Sequence, residues 1–181
     1  MLGSFILVLV GVGIGVARFD FGGKLEELTL PLQHQKIIRQ QAEEKGVPAD
    51  LIAAVIYEES RFRDQTSSAG ARGLMQITPD TADTIENLSG GETFVYEDLA
   101  DPELNIRYGT YYLGYLLEKY EGDLFAVLAA YNAGEGNADR WGGSELEIDD
   151  ITYPETRGYV EEVLETRELY REKYERELGL R

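Results

Sequence analysis

Apolar residues recur at intervals of three and four through most of this chain. No stretch alternates convincingly with a period of two, so the pattern predicts a mainly α-helical protein. Residues 2–17, LGSFILVLVGVGIGVA, stand apart as an uncharged and almost wholly apolar run ended by Arg18 and Asp20. Residues 18–30 read as a linker. A polar helix is predicted over 31–45, broken by Gly46 and Pro48, and an apolar helix over 48–62. Residues 63–73 are a loop of small and polar residues. Thr78-Pro79 and Asp101-Pro102 each set an N-cap before a proline at the first helical position, which predicts helices from there to about Asn87 and about Tyr120. Residues 88–100 between them read as loop. Residues 124–131 are short, apolar and alanine-rich, hence buried. Residues 132–149 are irregular, with several glycines, and Pro154 opens a last long helix.

The most informative residue lies on the apolar helix. A helix turns about 100° per residue. On that wheel Leu51, Ile52, Val55, Ile56 and Phe62 share one face and Glu59 falls near its middle, with Glu58 at the margin and Tyr57 and Ser60 pointing away. A glutamate within an apolar stripe is costly unless it is paired or stays protonated. The raised pKa that results is what a general acid at neutral pH requires. The competing reading is a structural ion pair, with Arg61, Arg63 or Arg72 as partner.

Composition narrows the chemistry. The chain has 181 residues, enough for one domain with a sizeable core. Its formal net charge of −17 argues against nucleic acid or an anionic membrane surface as partner. The absence of cysteine removes disulfides, thiol nucleophiles and cysteine-type zinc sites. With His34 the only histidine, a Ser-His-Asp triad or a multi-histidine metal site is not expected either. Carboxylates, hydroxyls, amides and aromatic rings must carry any reaction, and neither a metal nor an organic cofactor is expected. At about 1.5 Å per residue, the run over 2–17 is slightly short for a hydrocarbon core of roughly 30 Å. It reads as a signal peptide cut after Gly15-Val16-Ala17, or as an uncleaved membrane anchor. Either places the body of the protein outside the cytoplasmic membrane, secreted or membrane-attached in the cell envelope.

Four separated segments complete the picture: Glu59-Ser60; GARGLMQ over 70–76; AAYNAG over 129–134; and YPETRGY over 153–159. In this order they resemble the catalytic domain of the soluble lytic transglycosylases, from about residue 33 to about residue 175. The resemblance implies a lysozyme-like helical domain over 31–181 that cleaves peptidoglycan glycan strands. It implies that Glu59 protonates the β-1,4 glycosidic oxygen between N-acetylmuramic acid and N-acetylglucosamine. Glu59 then acts as base while the muramyl C6 hydroxyl closes a 1,6-anhydro ring. The family places a hydroxyl near the substrate N-acetyl group, a role open to Ser67 or Ser68. Met75 would supply an apolar wall and Gln76 polar contacts to sugar. Tyr131 would hold or tune the acid and substrate, Asn132 would shape the turn at the end of its helix or both shape it and bind substrate, and Glu155 would contact sugar. Each competes with a plainer role: loop hydrogen bonds for the serines, packing for Met75, dipole compensation for Glu155. Arg157 is expected to partner a buried carboxylate, Tyr159 fits core or cleft, and Trp141, in a glycine-flanked loop, is a candidate sugar platform. Two alternatives stay open. A hydrolase of the goose-type muramidase kind would need a second carboxylate, for which Asp80, Asp83, Asp98 and Glu155 are candidates. A wall-binding module would keep the cleft without the chemistry.

Overall fold

The computed structural model describes residues 30–90 and 95–180. The expected signal or anchor over 2–17, and nearly all of the expected linker, lie outside the described residues. Seven α-helices are described: α1 (Gln35–Lys45), α2 (Ala49–Ser60), α3 (Pro79–Ser89), α4 (Pro102–Lys119), α5 (Leu124–Ala133), α6 (Glu135–Trp141) and α7 (Pro154–Leu178). The expected proline starts are present. Thr78 Oγ1 accepts from the Thr81 amide and Asp101 Oδ1 from the Leu104 amide, so each caps its helix as the sequence predicts.

Three expectations are corrected. The helix predicted to end at Phe62 stops at Ser60, because Arg61 and Phe62 both turn left-handed, at φ 53° and 59°. The stretch over 132–149 is not wholly irregular: it holds α6 and two 3₁₀ turns, Gly143–Glu145 and Ile148–Asp150. Within 88–100, Tyr96–Ala100 forms a further 3₁₀ turn.

Helix α2 is the spine of the domain. It packs chiefly against α7 and also touches α1, while α5 packs on α4, α6 and α7. Residues 51–56 of α2 and 126–130 of α5 are wholly buried. Because α2 is covered on several sides, its margins are buried too. Ser60 lies inside, donating to the Ile56 carbonyl at 3.0 Å, and does not point away as the wheel suggested. Tyr57 meets the Tyr170 ring edge-on at 6.1 Å. At the start of α2 the buried Asp50 accepts from Arg167 at 2.9 Å and Arg171 at 2.7 Å, bolting α2 to the far part of α7. A buried carboxylate is tolerable only when it is met in this way.

Candidate active site

The last turn of α2 carries Glu59 to the wall of a cavity of about 270 Å³. Ser67, Ala71, Gln76, Ile77, Thr78, Thr81, Tyr112, Tyr131 and Asn132 line it with Glu59. Among the described residues no basic group comes within ion-pair distance of Glu59. Arg61, one of the partners considered, pairs with Glu58 at 3.2 Å. Burial without a cation pushes the Glu59 carboxyl up to about 7; the Tyr159 hydroxyl beside it works against that rise and the Glu58 charge adds to it. The Tyr159 hydroxyl is itself buried and closes no hydrogen bond of ordinary geometry in this structure.

The segment after α2 forms the opposite lip. Gly70 and Gly73 adopt φ of 84° and 75°, which glycine takes without strain. Gly73 is also needed for space: a Cβ there would lie 2.2 Å from Asn105 Nδ2 and 2.6 Å from the Leu99 carbonyl. Asn105, fully buried on α4, holds the turn. Its Oδ1 accepts from the Met75 amide at 2.7 Å, and its Nδ2 donates to the carbonyls of Arg72 and Leu99 at 2.9 and 3.0 Å. Gln76 Nε2 donates to Gly73 and Gln65 carbonyls, and Gln65 Nε2 donates to the Glu59 carbonyl at 3.2 Å. The lip and the acid-bearing turn are therefore one hydrogen-bonded unit.

The structure brings Glu59, Ser67, Gln76, Tyr131 and Asn132 together around the cavity. Ser67 Oγ accepts from the Ala71 amide at 3.0 Å, which leaves its own proton for a ligand acceptor. Ser68 is exposed and outside the cavity lining. Met75 is fully buried, and its sulfur packs so closely under Gly109 that a Cβ there would lie 2.4 Å away. The Tyr131 hydroxyl donates to the Met75 carbonyl at 2.8 Å rather than to Glu59. Burial first, then the nearby Glu59, raises the Tyr131 phenol well above its ordinary value, so it stays a neutral donor. Asn132 Oδ1 accepts from Thr156 Oγ1 at 2.8 Å and ties α5 to the first turn of α7. Glu155, beside Thr156, is exposed and does not line the cavity.

Two further expectations change. Trp141 ends α6 instead of standing in a loop; its indole donates to Thr152 Oγ1 at 2.9 Å and meets the Tyr153 ring edge-on, away from the cavity lining. Among the described residues Arg157 partners no buried carboxylate. It donates to the Asp149 and Ile151 carbonyls and pairs with the exposed Asp149 at 3.6 Å. The pattern of residues assigns no part in the site to Asn105, Gly109, Tyr112 or Thr81, and reads Thr78 only as a helix cap. A polar residue beside Ile106 and a glycine inside a helix were signals of close approach for the first two. The Tyr112 ring packs 5.8 Å from that of Tyr131 and also lines the cavity. Among the described residues no cluster of His, Cys, Asp and Glu could hold a metal ion.

The family model described as the transglycosylase SLT domain matches residues 36–153. The soluble lytic murein transglycosylase of Escherichia coli (strain K12) is 35% identical over 156 residues, 81% of this chain and 24% of that protein. That of Salmonella typhimurium is 33% identical over 156 residues, with the same two coverages. Among solved structures, the 70 kDa soluble lytic transglycosylase of E. coli superposes with a TM-score of 0.76 at 33% identity, over 84% of this chain and 26% of that one. A complex of the 70 kDa soluble lytic transglycosylase with bulgecin A also superposes with a TM-score of 0.76 at 33% identity, over 84% of this chain and 26% of that one. An inactive mutant of the lytic transglycosylase Slt from Pseudomonas aeruginosa gives a TM-score of 0.76 at 30% identity, over 83% and 26%. The chain spans about a quarter of the length of the curated relatives it matches.

Proposed function

The chain belongs to the transglycosylase SLT domain family, and from that premise we propose that it is a peptidoglycan lytic transglycosylase with Glu59 as acid and then base. One observation carries the reading: an unpaired carboxyl, held up to about 7 by burial, stands on the wall of a cavity lined by sugar-compatible hydroxyls and amides. Near neutral pH a good share of such a group keeps its proton. Glu59 protonates the glycosidic oxygen as an oxocarbenium-like centre develops at the muramyl C1. Bond cleavage leaves Glu59 ionised. It then takes the proton of the muramyl C6 hydroxyl, whose oxygen attacks C1 and closes the 1,6-anhydro ring. The nucleophile belongs to the substrate, so the step gains from proximity and consumes no water. The free proton of Ser67 suits an N-acetyl carbonyl held over C1.

A hydrolytic reading is less well supported. Ordinary hydrolysis by this route uses a second carboxylate across the scissile bond. Among the described residues lining the cavity, Glu59 is the only carboxylate. Asp80, Asp83, Asp98 and Glu155 are all exposed and outside it. A glycan substrate also implies action on the extracytoplasmic side, with residues 2–17 supplying export or attachment and 31–181 the catalytic domain. Among the described residues no helix is long and apolar enough to cross a membrane. The test is Glu59→Gln assayed by clearing of purified cell walls. The variant is expected to bind glycan and lose turnover by orders of magnitude. Undiminished clearing would remove the assignment.

A further inference from the structure

Glu135 is the first residue of α6, directly after the turn that Gly134 makes at φ 86°. It lies outside the cavity lining, yet it stands behind one wall of it. Its Oε1 accepts from the Tyr112 hydroxyl at 3.5 Å. Its Oε2 accepts from the Tyr115 hydroxyl at 2.9 Å and from Lys119 Nζ at 2.7 Å. The three donors follow one another at intervals of three and four on α4, so they share one face of that helix. The contacts converge on Tyr112. The Tyr115 ring, fixed by the carboxylate, stacks on the Tyr112 ring with centroids 6.1 Å apart and planes 19° from parallel. Tyr112 is buried and lines the cavity beside Glu59 and Tyr131. Burial first, then the Glu135 charge, raises its phenol above the ordinary value, so it remains a donor.

Glu135 engages the hydroxyl of Tyr112, and the Met75 carbonyl engages that of Tyr131. Neither partner is part of the cavity lining, so the two phenols give the cavity their rings. A ring offers a sugar an apolar surface with no competing hydrogen bond. We propose that Glu135 is a positioning residue for substrate: it holds the Tyr112 ring against the cavity with the hydroxyl turned away, and so sets the fit of the sugar bound there. The proposal rests on the reading of this cavity as the glycan site. Positioning of this kind removes the cost of ordering the ring when substrate binds, so it acts on affinity more than on the chemical step. The plainer role for Glu135 is an acidic charge at the start of a helix, which contributes to stability alone.

The test is steady-state cleavage of soluble, uncrosslinked peptidoglycan strands by the full chain and its variants, with a thermal melt of each. The variants are Glu135→Ala, Glu135→Gln, Tyr112→Leu and the double variant Glu135→Ala with Tyr112→Leu. The Glu135 side chain is 22% exposed and Lys119 keeps its pair with Asp139 at 3.2 Å, so neither substitution at 135 opens the core. Glu135→Ala should raise KM about fivefold, the scale of one net hydrogen bond, with kcat nearly unchanged. Glutamine keeps an oxygen to accept from the phenols, so Glu135→Gln should recover most of that loss. Leucine removes the ring on which Glu135 acts, so in the Tyr112→Leu background Glu135→Ala should add nothing to KM. An unmoved KM in Glu135→Ala, with only Tm or kcat lowered, overturns the proposal and assigns Glu135 to the helix start. An equal KM rise on the leucine background also overturns it, because the effect then bypasses Tyr112. Should Tyr112→Leu not fold, the comparison of alanine with glutamine decides alone: equal KM values in the two overturn the proposal. Failure of the underlying reading looks different: Glu59→Gln would then cleave strands as well as the unsubstituted enzyme.

Discussion

Replacing Glu59 with glutamine should stabilise the protein, and increasingly so as pH rises. The folded carboxyl sits at about 7 against an ordinary value of 4.5. Below 4.5 both folded and unfolded chains carry the proton, and ionisation costs the fold nothing. Between 4.5 and 7 the unfolded chain ionises while the folded one holds its proton, so stability drains away with rising pH. Above 7 the loss is complete. Each unit of difference is worth about 1.4 kcal/mol, so the full cost is about 3 kcal/mol. For a domain of this size that corresponds to roughly 6–12 °C in melting temperature. Glutamine fills the same space without an ionisation to suppress. Thermal melts of the two proteins from pH 4 to pH 9 isolate the effect, because every other titrating group is shared. The gap in Tm should be small and constant at low pH, widen between about 5 and 7, and then level off. A gap that does not change with pH would refute the reasoning, since an acid unburdened by burial gives none.

Three other perturbations test the frame that holds the acid. Gly73→Ala forces a Cβ against Asn105 and the Leu99 carbonyl at a positive φ, and should cost about 3 kcal/mol or more with loss of wall clearing; denaturant titration reads it. Asp50→Asn leaves Arg167 and Arg171 without their shared anion between α2 and α7, and should cost about 3 kcal/mol by the same measurement. Tyr131→Phe strands the Met75 carbonyl and should cost about 1–2 kcal/mol; a shift in the midpoint of unfolding that stays within error would show that bond to be inert.

The sequence made the helices legible where local chemistry decides them. Thr78-Pro79 and Asp101-Pro102 are self-contained start signals, and their caps form as predicted. Glu59 was legible because a carboxylate among Leu51, Ile52, Val55 and Ile56 breaks a local pattern. What escaped depends on partners far along the chain. Glu58 finds Thr166 and Asp50 finds Arg167 and Arg171 more than a hundred residues away, so a wheel drawn on α2 alone could not show that its margins are buried. Arg157 escaped for a different reason: its acceptors, the Asp149 and Ile151 carbonyls, lie only eight and six residues back, but main-chain carbonyls leave no mark in a pattern of side chains. The serines divide on local geometry: Ser67 is caught in a turn by the Ala71 amide and faces the cavity, while Ser68, one residue on, faces solvent.

The central claim is that an acid acting alone cleaves glycan without water. Mass spectrometry of muropeptides released from purified peptidoglycan by the purified protein tests it most directly. The account predicts products one water lighter than reducing-end muropeptides, the mark of 1,6-anhydro rings. Ordinary reducing ends would contradict it and point to a hydrolase whose water is positioned by a group outside the cavity lining described above.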